Sequence, residues 1–304
     1  MNTLIIGLGS IALKHIQAIR SIDKEIEIYA LRHSKKSRTY ENIKSFYDWS
    51  EINFIPDFIL ISNPTSEHAN AIEKSIALKC PLFIEKPSLH TLEKADHLLK
   101  LIKENQIITY IGCDLRFHPS LLFIKSYLKK NSPIINEINI YCGSFLPGWR
   151  KGVDYRNVYS SIPELGGGVH LDLIHEPDYC YWIFGKPLSV RKSFSNKSSI
   201  QIKAYDYANY LFEYPSFNAS IILNYYRKDS KRSLEIITSD GTIALDFLTG
   251  VVTNSEGKIL FQSSVQAKEI YLDQMKHFIG CVRTKKESIH PFEESLEVLK
   301  LCMA

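Results

Sequence analysis

The sequence has no C-x-x-C pair, and its six cysteines (Cys80, Cys113, Cys142, Cys180, Cys281, Cys302) lie far apart. Neither a zinc ribbon nor a disulfide framework is indicated, and a reducing, cytoplasmic compartment is expected. Charge of one sign is scarce too. Lys plus Arg number 37 against 33 Asp plus Glu, a net charge of +4, too mild and dispersed for a general nucleic-acid binder. No uncharged apolar run approaches the ~18 residues of a membrane span. The apolar run Leu4–Leu13 lacks a basic leader and contains Gly7 and Gly9, so no signal peptide is expected. Internal repeats and low-complexity linkers are missing as well. What is present is ordinary globular material, 45% apolar and 23% charged in 304 residues. That suffices for a proper core, and for two domains at about 100–200 residues each.

The first third alternates between strand and helix patterns. Asn2–Ile6, Ile26–Leu31, Phe58–Ile61, Leu82–Ile84 and Ile107–Gly112 read as short buried strands. Ile11–Ile22, His68–Leu78 and Thr91–Glu104 read as helices, the first with Ile11, His15, Ala18 and Ile19 on one face. This predicts a parallel sheet with helices on both faces over residues 1–116. In residues 117–304 a helix (Pro119–Lys130) and a strand (Ile134–Ser144) precede the glycine-led stretch Gly166–Gly185. Strands then dominate: Leu188–Phe194, Ile200–Tyr205, Ala208–Tyr214, Ala219–Tyr225, Leu234–Thr238 and Thr242–Phe247, the last two joined by a hairpin signal at Asp240-Gly241. Helices near Lys268–Arg283 and Phe292–Leu301 close the chain, the last able to pack back on the first domain. The expected fold class is α/β, a Rossmann-type parallel sheet followed by an α+β domain with a largely antiparallel open sheet.

The first strand runs into Gly7-Leu8-Gly9-Ser10-Ile11-Ala12, a G-x-G-x-x-A. Gly7 permits the tight turn, Gly9 lets a pyrophosphate approach the backbone, and Ala12 lets the helix pack on the strand. The N–H groups of Ser10, Ile11 and the rest of the first turn then face the anion. At the end of the second strand, where a carboxylate would bind the ribose of NAD, the chain reads Arg32-His33-Ser34-Lys35-Lys36. Arg32, Ser34 and Lys35 suit a 2′-phosphate, so NADP is the expected cofactor.

With Asn63-Pro64-Thr65-Ser66-Glu67-His68, Phe83-Ile84-Glu85-Lys86-Pro87 and Gly166-Gly167-Gly168-Val169-His170-Leu171-Asp172-Leu173-Ile174-His175, the chain resembles the Gfo/Idh/MocA family, glucose-fructose oxidoreductase-like and inositol dehydrogenase-like enzymes. The resemblance covers nearly the whole chain. It implies hydride transfer between NAD(P) and a hydroxyl or carbonyl carbon of a sugar, cyclitol or sugar nucleotide. It also implies a homodimer or homotetramer through the second domain's sheet. By position it places Asn63, Pro64, Thr65 and His68 beneath the cofactor, and Glu85, Lys86 and Pro87 beside the nicotinamide, the lysine on the reacting oxygen. Asp172 and the following histidine match the proton-transfer pair. The common pattern sets histidine four residues after the aspartate. Here His175 is three after and Glu176 four after, which leaves the identity of the base open between them.

The residues fit such chemistry. Oxidising an alcohol needs a donor or cation on oxygen and a base that titrates near neutrality. The Lys86 ammonium at a strand's carboxyl end supplies the first, and His175 the second. If 168–184 is one helix, Asp172 and His175 share a face, and Pro177 kinks it. His170, Asp172 and His175 do not converge on one helix face, so no metal site is expected. Trp149, Arg150 and Tyr155, with Asp154, Arg156 and Tyr159, form a polar aromatic loop suited to sugar rings or anions. Arg116, in a family-like element, and Glu176 complete the substrate candidates. The expected function is an NADP-dependent dehydrogenase or reductase acting on a small carbohydrate or sugar nucleotide. The alternatives are a redox-silent NADP-binding regulator, or an enzyme with tightly held cofactor and an internal redox cycle.

Overall fold

The computed structural model describes residues 1–35 and 40–303; Lys36 of the basic run lies outside them. The first elements are β1 (Asn2–Ile6), α1 (Ser10–Ile22), β2 (Glu27–Leu31), β3 (Ile43–Phe46), β4 (Phe58–Ile61), α2 (His68–Ile76), β5 (Leu82–Ile84), α3 (Ala95–Glu104) and β6 (Thr109–Ile111). Their strands form one sheet in the order β3-β2-β1-β4-β5-β6, every pair parallel. β4 and β5 are apolar throughout and fully buried, as strands covered on both faces must be. The order reverses between β1 and β4. That switch point, at the strands' carboxyl ends, is where open α/β sheets bind ligands.

Next come α4 (Pro119–Asn131), β7 (Ile135–Phe145), α5 (Val169–Asp172), α6 (His175–Phe184), β8 (Ser189–Ser195), β9 (Tyr207–Glu213), β10 (Asn218–Asn224), β11 (Tyr226–Thr238), β12 (Gly241–Asp246), β13 (Val251–Thr253) and β14 (Ile259–Gln262). They build an eight-stranded sheet, β14-β13-β12-β11-β7-β10-β9-β8. Only β7 and β10 pair in parallel. Alternate residues (Ile138, Ile140, Ala208, Tyr210, Phe212, Ala219, Ile221, Leu223, Leu234, Ile236) point into a core shared with Leu121 and Ile124 of α4, Val169 of α5 and Tyr179 of α6. α7 (Ala267–Thr284) and α8 (Phe292–Cys302) end the chain.

Two compact units result. One takes Met1–Asp114 with Ala267–Lys300, the other Leu115–Gln266 with the chain's last residues. The first unit is therefore discontinuous, and the break falls at 114/115 instead of 116/117. α7 belongs with the parallel sheet because it packs on α1, where the Tyr271 ring meets His15 at 5.5 Å and lies under Lys14 Nζ at 4.9 Å. Three further expectations need correction. Ile200–Tyr205 is irregular, whereas β3, β13 and β14 are strands. The segment 168–184 is two helices, interrupted at Leu173 and Ile174.

Candidate active site

At the switch point, Gly7 has a φ of +85°, and a Cβ there would lie 2.6 Å from the Asn63 Cα and 2.7 Å from its N. Only glycine permits this turn and this approach of the loop after β4. Gly9 differs. A Cβ on it would meet no atom of the described residues within 4 Å. Gly9 is the N-cap of α1, whose first turn has no capping side chain and no acidic residue. The helix N-terminus, with Gly9 and Ser10 exposed and Ile11 half-buried, is free to receive an anion. Asn63 Oδ1 is buried without a hydrogen-bond partner among the described residues, an acceptor placed for a ligand's hydroxyl or amide. These features fit a dinucleotide. At the end of β2, Arg32 is 6% exposed and its Nη1 lies 3.4 Å from Ser45 Oγ. Ser34 is half-buried and Lys35 exposed, the lysine 5.5 Å from the Tyr47 ring centre.

Pro64 and Thr65 begin a short 3₁₀ turn that leads into α2. His68, at the start of α2, is a buried staple: Nε2 is 3.1 Å from the Asn63 carbonyl, and Nδ1 is 3.0 Å from that of Pro87 and 3.3 Å from that of Ser88. Burial holds its pKa below the usual histidine value. Its ring lies between the loop after β4 and the loop after β5, and when neutral it donates to one of them. Glu85, 7% exposed, accepts from His15 Nε2 at 2.5 Å, and its other oxygen lies 3.3 Å from the Lys86 N–H. Lys86 is half-buried, at the carboxyl end of β5.

In the second unit, Asp172 closes α5 and His175 opens α6. Asp172 is 6% exposed and accepts hydrogen bonds from two phenols, Tyr159 at 2.9 Å and Tyr225 at 2.5 Å. Burial, with the Asp172 charge beside them, raises the pKa of both hydroxyls, which stay protonated donors. Trp149 packs edge-on to Tyr225 at 5.4 Å and donates from Nε1 to Ser144 Oγ at 3.1 Å. The Arg150 guanidinium lies 5.8 Å from the Tyr159 ring centre. Trp149, Arg150, Tyr155 and Ser160 line a small cleft beside this group, although the Tyr155 hydroxyl is spent on the Ile200 carbonyl at 2.9 Å. His175 is half-buried. The loop candidates and the Asp172 cluster thus share one neighbourhood. Tyr225, which the sequence offered only as the end of a strand, belongs to it.

Two substrate candidates are placed differently. Arg116 is fully buried and binds Asp178 through Nε at 3.0 Å and Nη2 at 2.7 Å. Glu176 is fully buried and accepts from Arg232 Nε at 2.6 Å. Each is committed to a buried ion pair, with no exposed face to offer a ligand. Arg232, the partner of Glu176, carried no sequence signal because β11 and α6 meet only in the fold.

An exposed helix N-terminus at a parallel-sheet switch point, with a lysine at a neighbouring strand mouth, defines a dinucleotide-binding oxidoreductase. The family comparison specifies it. Residues 1–113 match the model of the oxidoreductase family with an NAD-binding Rossmann fold, and residues 137–244 match the Gfo/Idh/MocA C-terminal domain. The chain belongs to the Gfo/Idh/MocA family. A scyllo-inositol 2-dehydrogenase (NAD+) of Bacillus subtilis is 24% identical over 250 residues, 77% of this chain and 69% of that protein. Among solved structures, the UDP-N-acetylglucosamine 3-dehydrogenase GnnA of Acidithiobacillus ferrooxidans superposes with a TM-score of 0.80 at 18% identity, over 99% of this chain and 95% of that one. The WlbA dehydrogenase of Bordetella pertussis, solved with NADH and UDP-GlcNAcA, gives 0.83 at 15% identity over 99% and 93%. These superpositions establish the shared fold. No described helix is long and apolar enough to cross a membrane.

Proposed function

We propose that the chain is an NADP-dependent oxidoreductase that moves hydride between the nicotinamide and a hydroxyl or carbonyl carbon of a sugar, sugar acid or sugar nucleotide. The observation that carries this reading is a single loop. Lys86 stands at the carboxyl end of β5, in a loop that meets the loop touching Gly7 at the buried His68 ring. Nicotinamide, when bound, supplies or accepts the hydride. The ammonium of Lys86 then stabilises charge on the substrate oxygen, and His175 takes or gives the proton. Asp172, anchored by two phenols, acts as a fixed anion. The α1 N-terminus and Asn63 hold the dinucleotide, and Arg32, Ser34 and Lys35 meet its 2′-phosphate. No acidic residue occupies the described end of β2, and this favours NADP over the NAD+ of the Bacillus subtilis relative. Trp149 and Arg150 face the sugar or its anionic group.

A panel of sugar nucleotides, inositols and sugar acids with NADP+ or NAD+, followed by nicotinamide absorbance, tests the reading. Turnover with at least one of these and a lower KM for NADP+ is expected; a preference for NAD+ refutes the cofactor choice. In Lys86→Ala, cofactor affinity should survive while kcat falls about 10²-fold or more. Unchanged kcat removes Lys86 from the reaction. We also propose that the chain is a homo-oligomer joined through the half-exposed sheet face that bears Tyr141, Tyr207, Asn209 and Leu211. Leu211→Lys should then reduce the mass measured by sedimentation.

A further inference from the structure

The loop carrying Lys86 is held by buried imidazoles from two helices. His68 of α2 holds the carbonyls of Pro87 and Ser88. His15 of α1 holds the Glu85 carboxylate, 2.5 Å away. The first follows from the cofactor loop already described; the second has no role in it. His15 is fully buried, one helical turn past the end of the glycine motif, against the edges of Phe83 at 4.7 Å and Tyr271 at 5.5 Å. Its Nδ1 has no hydrogen-bond partner among the described residues. A carboxylate only accepts, so Nε2 carries a proton, while Nδ1 is buried against apolar packing. An aliphatic residue would fill this place without burying an unsatisfied nitrogen. Packing alone gives no reason for a histidine.

The carboxylate that His15 holds is closely confined. A Cβ on Gly112 would come within 3.0 Å of Glu85 Oε1, so β6 leaves that oxygen little room on its side. Glu85 Oε2 faces the Lys86 N–H at 3.3 Å. We infer that His15 is a positioning residue for Lys86. Its Nε2–H fixes Glu85, and Glu85 fixes the lysine's backbone. The helix whose N-terminus receives the dinucleotide and the loop that presents the ammonium thereby keep one geometry. The functional weight of this inference rests on the donor role proposed for Lys86; the geometry does not.

The test reads amide hydrogen exchange of the full chain over residues 84–89, with Tm and steady-state kinetics alongside. In His15→Leu, exchange at the Lys86 amide should rise about tenfold, the scale of one lost charge-assisted hydrogen bond. kcat should fall while the cofactor KM changes by less than about threefold. His15→Gln, which keeps an N–H donor, should restore both. Ile19→Val, a packing change on the same buried face of α1, should lower Tm without moving either. Wild-type exchange in His15→Leu, or an equal rise in Ile19→Val, overturns the inference. If His15→Leu does not fold, Glu85→Gln gives the same reading: faster exchange supports the inference, and wild-type exchange overturns it. Faster exchange with unchanged turnover upholds the positioning and overturns the donor role of Lys86.

Discussion

At the scale of single residues, similar groups in one unit have different fates. Asp172 faces two neutral phenols and a half-exposed neighbourhood; Arg116 and Glu176 are sealed against opposite charges. A buried pair broken on one side leaves an uncompensated charge, which costs about 3–5 kcal/mol, whereas replacing both partners by apolar groups is often neutral. Arg116→Leu should therefore lower the unfolding free energy by that amount in urea, and Arg116→Leu/Asp178→Leu should recover most of it. A fully stable Arg116→Leu with only a raised substrate KM would return Arg116 to the ligand. Tyr225→Phe removes one donor from a buried carboxylate and should cost about 1.5–3 kcal/mol. It should lower kcat more than it raises KM, because Asp172 loses one of its phenol donors; equal turnover in the variant and the wild type would separate Tyr225 from the reaction. What was legible here was chemistry with local context: Gly7, Gly9 and Lys86 each sit in a run whose neighbours explain them. Tyr225, Arg232 and His15 were not legible as site residues. Their partners lie 53, 56 and 70 positions away, and no periodicity encodes such pairs.

At the scale of elements, the pattern was sound wherever burial alone decides structure. β1, β4 and β5 lie where their apolar runs put them. The failures have physical causes. Ile200, Ile202 and Ala204 alternate inward as a strand would, but their backbone bonds go to a loop, Ala204 N–H to the Ser161 carbonyl, and no ladder forms. β11 begins at Tyr226, far ahead of its apolar half, because Lys231 and Arg232 pair with β7 despite their charge. β3 is four residues long with one buried side chain, too short for a pattern. Pro177 is the instructive case. α6 starts at His175, and its first helical bond runs from Asp178 N–H to the Ile174 carbonyl. The proline thus occupies the first turn, where an N–H has no helical acceptor. It stabilises by restricting the unfolded chain and does not kink a continuous helix. Pro177→Ala should lower stability by about 0.4–1 kcal/mol; a Tm above wild type would show that strain had been relieved instead.

At the scale of the whole molecule, the second unit carries a pH liability. His118 caps α4, its Nδ1 accepting from Ser120 N–H at 3.2 Å. Burial, helped by the Arg232 charge, lowers its pKa to about 4. His170, wedged edge-on to Phe194 and Tyr205, is likewise brought to about 4 by burial, against a smaller upward pull from Asp172. Both rings are neutral in the folded protein, and their ordinary value is 6.5. Between about pH 6.5 and 4 the unfolded chain binds more protons than the folded one, so stability rises with pH across that window. The contribution is fully present above about 6.5 and is lost as pH falls toward 4, at up to about 1.4 kcal/mol per pH unit for each ring. Urea titrations of the full chain from pH 7 to 4.5 should show a slope of this sign, and His118→Asn should reduce it by up to about 1.4 kcal/mol per pH unit. Asparagine caps a helix as well as histidine does here and has no proton to take up. A flat profile in the wild type would mean that neither ring is neutral in the folded state.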